Sequence, residues 1–229
     1  MGSCRRPVVA VLAFGLVLLA GCGEDQSALD PQGPPARRIA ALWWWMMGVA
    51  WVVLLGAVAM LGVAWLRRRK AGLPVLGEDE RASNALVVAF GMVIPAIALV
   101  ALFIVANFSV ASGTQAPHRG TTALTVEVIG HQWWWEVRYP GTPAVTANEI
   151  HIPAGTSVDV LARPADVIHS FWVPELNRKI DMIPGRTNRV ELEADHPGIY
   201  RGQCAELCGL QHAHMAMWVV AQPRRAFEA

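Results

Sequence analysis

The chain has 229 residues, of which 54% are hydrophobic and 16% charged, with a net charge of +1 and 4 cysteines. A typical soluble protein is about 25% charged, so this composition excludes a disordered tail and an ordinary soluble enzyme. Near-neutral charge gives no case for a nucleic-acid partner, and the cysteines are too few for a disulfide-dense scaffold.

Three apolar runs precede residue 111. The first follows Arg5 and Arg6, covers residues 7–22 and ends Leu19-Ala20-Gly21-Cys22. Positive charge, a short apolar core and small residues make the plan of a secretory signal, and the run is shorter than the ~20 residues that span a bilayer. Its end resembles a bacterial lipoprotein signal. That likeness implies removal of residues 1–21 and lipidation of Cys22. Residues 22–38 read as a polar extracytoplasmic tether containing Pro31, Pro34 and Pro35.

Residues 39–110 form the membrane part of this reading. Residues 39–66 contain no charge and begin with Trp43, Trp44 and Trp45, aromatic residues of the kind that gather at a bilayer interface. A second uncharged stretch starts at Ala82 and contains Gly91 and Pro95, which membrane helices tolerate. Two spanning helices are expected at about 40–66 and 85–109, joined by a cytoplasmic loop over 67–84. Arg67, Arg68, Arg69, Lys70 and Arg81 place that loop inside. Everything from residue 112 onward is then extracytoplasmic.

Residues 112–229 hold 10 Lys and Arg against 12 Asp and Glu, a net charge of −2. Leu124-Thr125-Val126-Glu127-Val128-Ile129 alternates as a half-buried strand does. Further strands are expected at 133–139, 149–152, 157–161, 169–173, 189–192, 199–203 and 218–221, between prolines and glycines. Many short strands at this spacing predict an all-β sandwich. The expected fold is a two-helix transmembrane hairpin followed by that domain.

The densest group of metal-ligand residue types is Cys204-Ala205-Glu206-Leu207-Cys208-Gly209-Leu210-Gln211-His212-Ala213-His214-Met215. Thiolate, imidazole and thioether together form a soft set that favours copper. Other readings of these residues are a Cys204–Cys208 disulfide, a structural zinc site and a blue-copper site, which needs only one cysteine. Two bridging thiolates suit two copper ions. His169, in Asp166-Val167-Ile168-His169-Ser170-Phe171, is the best distant imidazole; His118, His131, His151 and His196 lack such a context. The spacing leaves His212 and His214 as rivals.

The run Pro197-Gly198-Ile199-Tyr200-Arg201-Gly202-Gln203-Cys204-Ala205-Glu206-Leu207-Cys208-Gly209, with His212 and Met215, resembles subunit II of haem-copper cytochrome c oxidase. So do Val167-Ile168-His169-Ser170-Phe171, Ile180-Asp181-Met182-Ile183-Pro184-Gly185-Arg186 and Gly130-His131-Gln132-Trp133-Trp134-Trp135. The resemblance implies a cupredoxin-like sandwich with a binuclear copper A centre. It implies that Cys204 and Cys208 bridge the coppers, that His169 and His212 each ligate one, and that Met215 and the Glu206 carbonyl complete the set. It also implies a magnesium site reached by the Glu206 carboxylate at the border with subunit I, and Trp133 as the electron-input residue near a docked cytochrome c. The implied chain of events runs from cytochrome c through copper A to the haem of subunit I, which reduces oxygen with proton translocation. The implied location is the bacterial inner membrane, multi-pass. The same ligands also serve a nitric oxide reductase-type complex, which stays open as an alternative. A quinol oxidase subunit would lack the copper ligands, and a free-standing copper carrier would lack the anchor. Val88 stands where family members often carry a glutamate, and Trp134 where they carry tyrosine. No C-x-x-C-H motif is present, so the electron donor is a separate protein or subunit.

Overall fold

The computed structural model describes residues 26–68, 80–117 and 121–229. The expected signal segment, the lipidation candidate Cys22, His118 and most of the connecting loop lie outside them. The chain divides into two units: residues 37–116, and a second unit made of the N-terminal segment through Ala36 together with residues 117–229.

The helical unit follows from long apolar runs broken at proline. Helix α1 (Pro34–Arg68) opens on Pro34 and Pro35, which fit a first turn because its N–H groups have no helical partner. Helix α2 (Glu80–Val88) passes through a π-turn at Ala89–Val93 into α3 (Ile94–Val105). Pro95 has no N–H to donate back along the helix, and a wider turn absorbs the break. A second π-turn at Ala106–Ala111 and a short 3₁₀ turn at Ser112–Thr114 end the element. The Asn107 side chain donates to the Phe103 carbonyl at 2.8 Å and Ser112 to the Phe108 carbonyl at 2.5 Å, supplying bonds to carbonyls where the helical ladder is irregular. Pro34–Leu66 and Asn84–Thr114 are both long and apolar enough to cross a membrane. Val88 is the last residue of α2, before the π-turn.

The second unit is a sandwich of ten strands: β1 (Leu124–His131), β2 (Trp134–Arg138), β3 (Val145–Ala147), β4 (Glu149–Pro153), β5 (Val158–Pro164), β6 (His169–Trp172), β7 (Ile180–Met182), β8 (Asn188–Leu192), β9 (Gly198–Cys204) and β10 (Ala216–Gln222). One sheet has the order β3-β2-β1-β5-β8, the other β4-β10-β9-β6-β7. Pairs β1–β5 and β4–β10 are parallel and the others antiparallel. Alternation along β1 turns Val126 and Val128 inward, and β2 adds Trp135 and Val137. Ile150, Ile152, Phe171, Met217 and Val219 close the core from the other sheet. The Tyr139 hydroxyl accepts from the His151 N–H at 2.7 Å and lies 3.3 Å from its carbonyl, which ties β2 to β4 across the sheets.

The segment before α1 packs on this sandwich. The Gln32 N–H donates to the Glu175 carbonyl at 2.7 Å, and the Gln32 carbonyl accepts from Asp195 N–H at 2.8 Å. A side chain at Gly33 would meet the Glu193 carbonyl at 2.2 Å, so only glycine lets the backbones approach this closely.

Candidate metal centre

Strand register builds the site. Antiparallel pairing of β6 with β9 sets Phe171 opposite Cys204, and Ala205 N–H then donates to the Ser170 carbonyl at 3.0 Å. This carries His169 to the end of β9. The loop from Cys204 to Met215 is closed at its neck by Cys204 N–H donating to the Met215 carbonyl at 3.0 Å. Residues 35 and 7 apart in sequence thereby converge.

The ligand atoms of His169, Cys204 and Cys208 all lie within 4.8 Å of one another. The two sulfurs are 3.8 Å apart, and both cysteines are free and buried. His169 Nδ1 faces Cys204 Sγ at 3.8 Å, and His212 Nδ1 faces Cys208 Sγ at 3.6 Å. The Glu206 carbonyl lies 3.2 Å from Cys204 Sγ, and Met215 Sδ lies 3.8 Å from Cys208 Sγ. The arrangement is two sulfurs in the middle, an imidazole at each end, and one weaker donor on each side. His169 and Met215 are almost wholly buried, whereas His212 is half-buried.

Electrostatics make the pair of thiols unequal. Burial pushes the Cys204 thiol up, but the His169 imidazole, the Glu206 and Ser170 backbone groups and His212 together bring it down to about 6. Burial, followed by the charge of Cys204, pushes Cys208 up to about 12. One proton leaves easily. The second stays until a cation compensates the second thiolate, since metal binding requires deprotonated thiols. Two shared thiolates, two imidazoles and a thioether are a donor set suited to copper.

The surroundings orient His169. Asp166 Oδ1 lies 2.8 Å from His169 Nε2 and accepts from Val167 N–H at 2.6 Å, while Oδ2 accepts from Gln132 N–H at 2.7 Å. Burial opposes the charge on Asp166, but these bonds outweigh it and hold the carboxyl below its usual value. Burial likewise lowers His169, but Cys204 and Asp166 reverse the effect and raise it. A histidine that bonds a carboxylate through one ring nitrogen presents the other to a metal in a fixed orientation. The Trp135 ring lies 6.0 Å from that of His169, and its N–H donates to the Met215 carbonyl at 3.4 Å. A side chain at Gly130 would press on the His169 ring at 2.9 Å.

The other sequence candidates fall as follows. Trp133 is half-buried, and its indole N–H is buried without a hydrogen-bond partner among the described residues. A side chain at Gly209, whose φ is +124°, would lie 3.1 Å from the Trp133 ring. Of His212 and His214, His212 faces a thiol; His214 is exposed. His131 meets Glu136 at 2.9 Å and stacks on Trp134 at 4.5 Å between ring centres. His151 meets Glu149 at 3.3 Å, and the His196 carbonyl accepts from the Tyr200 hydroxyl at 2.8 Å. Asp166, Gln132, Trp135 and Gly130 received no individual role from the sequence, although all lie inside or beside the quoted motifs.

Comparison with known proteins places these observations. The signature of a family described as "Cytochrome C oxidase subunit II, periplasmic domain" matches residues 144–222. A cytochrome c oxidase subunit 2 of Alkalihalophilus pseudofirmus is 35% identical over 95% of this chain and 65% of its own length. One of Branchiostoma floridae is 35% identical over 46% of this chain and 55% of its own length. The chain thus spans between half and two thirds of these curated relatives. The crystal structure of the periplasmic domain of subunit II of cytochrome oxidase of Bradyrhizobium japonicum is 32% identical, covering 47% of this chain and 90% of that one, with a TM-score of 0.45.

Proposed function

We propose that the chain is a member of the cytochrome c oxidase subunit II family, which its sequence resembles over 95% of its length, and that its sandwich holds a binuclear copper A centre that carries electrons into a haem-copper oxidase. The observation that carries this reading is the pair of free sulfurs 3.8 Å apart with one imidazole facing each. Cys204, Cys208, His169, His212, Met215 and the Glu206 carbonyl would hold the two coppers, the thiolates being shared between them, each imidazole ligating one, and the thioether and the carbonyl acting as the weak donors. When bound, the copper pair supplies a one-electron store spread over two metals and two sulfurs.

The chain's own residues keep that store cheap to fill and empty. A buried site on a stiff β framework fixes the donor positions in both redox states, and outer hydrogen bonds such as Asp166 to His169 tune ligand basicity. Trp133, packed against Gly209 one residue from Cys208, is the electron-input residue. The donor is a cytochrome c. The acceptor is the haem of subunit I, where oxygen is reduced with proton translocation, and the exposed Glu206 carboxylate would help to hold a magnesium ion at that border. The two apolar helices anchor the chain in the bacterial inner membrane as a multi-pass protein with the copper domain outside. Cys22 is the lipidated residue.

Copper counting and electron paramagnetic resonance on the full chain in detergent test this reading. Two coppers per chain with hyperfine structure from one electron shared equally between them is the expected result. One copper, or zinc in its place, refutes it.

A further inference from the structure

Gln132 occupies the tip between β1 and β2, which belong to one sheet, while the ligand loop belongs to the other. Its backbone N–H holds Asp166 Oδ2 at 2.7 Å, and the second oxygen of that carboxylate holds His169. Its side-chain Nε2 donates to the Cys208 carbonyl, also at 2.7 Å, across 76 residues of sequence. One residue therefore touches both segments that carry ligands.

The second bond matters because of what the loop lacks. Cys204 is the last residue of β9 and stays in register with β6. Beyond Ala205, whose N–H still donates to Ser170 on β6, the backbone bonds are local: His212 N–H to Gly209, His214 N–H to Gln211, Met215 N–H to His212. Leu207 and Leu210 are 76% and 96% exposed and anchor nothing in the core. Apart from the burial of the Cys208 and Met215 side chains and the bonds to the Met215 carbonyl, the Cys208 half of the site is held by the Gln132 amide and the Trp133 ring against Gly209. Gln132 itself is exposed, so core packing does not explain its placement. Its partner is a carbonyl, which accepts only, so a donor is required there.

We propose that Gln132 is a positioning residue for the metal centre, fixing the spacing between the His169 side and the Cys208 side by bonding to both. This rests on the copper reading above. Metal–ligand distances must hold within about 0.2 Å; the Met215 end of the loop is held by Cys204 and Trp135, and the Gln132 amide is what bonds the Cys208 carbonyl across the sheets, so its loss frees that part of the loop to drift.

The test uses the full chain in detergent with Gln132→Met, which keeps length without a donor, Gln132→Glu, which sets a carboxylate against the carbonyl, and His131→Ala as a control at the same hairpin tip. In the metal-free chain, amide hydrogen exchange across residues 205–212 is expected to quicken by up to roughly tenfold in Gln132→Met, the scale of one lost hydrogen bond, and further in Gln132→Glu. In the copper-loaded chain, release of copper to a chelator follows the same order, and the hyperfine pattern becomes unequal between the two metals. His131→Ala matches the parent in all three. Unchanged exchange in both Gln132 variants, or an equal effect from His131→Ala, overturns the proposal. A parent chain that fails to take two coppers refutes the copper reading instead, and the exchange measurement still decides the role of Gln132.

Discussion

Substituting Gly130 by alanine asks whether β1 sets the position of the His169 imidazole. The added methyl would lie 2.9 Å from His169 Cδ2, 3.0 Å from Cγ and 3.3 Å from Cβ. Carbon atoms rest at about 3.5–4.0 Å, so a gap of roughly 0.6–1 Å must open. The strand resists, because Gly130 is flanked by Trp135 on β2 and Pro164 on β5, and its carbonyl accepts from Ala165 N–H. The imidazole resists too, being fully buried and bonded to Asp166. Overpacking of this kind costs about 1–3 kcal/mol, which lowers the melting temperature of a domain this size by roughly 5–15 °C. A ring displaced by ~0.6 Å exceeds the tolerance of a metal site about threefold. The expected outcome is a chain that folds, melts early and binds copper at the His169 end at least tenfold more weakly. Fluorescence melting of the metal-free chain and chelator competition with resonance spectra of the loaded chain measure both effects. A Gly130→Ala chain that melts within about 2 °C of the parent and keeps its copper spectrum would refute the reasoning.

Three other predictions concern separate parts of the fold. Met215→Leu conserves volume at a site 1% exposed, so it should cost under about 1.5 kcal/mol yet shift the reduction potential of the loaded chain; an unchanged potential removes Met215 from the ligand set. The Arg138 hydrogen bond, opposed by burial and aided by His131, holds Glu136 below the usual glutamate value. Its stabilisation is complete above that usual value and disappears as pH falls through the lowered one, so the melting difference between parent and Glu136→Gln should hold at neutral pH and close as pH falls below the usual glutamate value; a constant difference refutes the assignment. Gly33→Ala sets a methyl against an unyielding backbone carbonyl, and thermolysin should then cut residues 26–36 faster while the sandwich stays intact. Equal cutting rates would mean that the segment does not depend on this contact.

The sandwich was legible because its longer strands alternate in burial, as Val126, Val128 on β1 and Ile150, Ile152 on β4 do. Strands β3 and β7, three residues each, had no counterpart in the expected set. They lie at sheet edges, where cross-strand pairing rather than sequence pattern creates the strand. Cys204, Cys208, His212 and Met215 could be grouped from spacing because a single loop carries them. His169 could be named from its sequence context, and the β6–β9 register is what brings it to Cys204; bare spacing left His212 and His214 as rivals, the family resemblance implied His212, and His212 is the one that faces a thiol. Asp166, Gln132 and Gly130 act through backbone bonds and close approach, and no residue-type rule announces those.

The placement of Gln32 and Gly33 on the sandwich has a consequence for how the chain is made. These residues are synthesised before either apolar helix, yet their partners Glu175, Glu193 and Asp195 come some 140–160 residues later. The strap must therefore wait while both helices and most of the strands emerge. Closing so long a loop adds little to its free-energy cost, which grows only with the logarithm of length, but it makes this contact late. The sandwich therefore cannot receive this strap until the residues just after β8 have been made, by which time both apolar helices have already emerged.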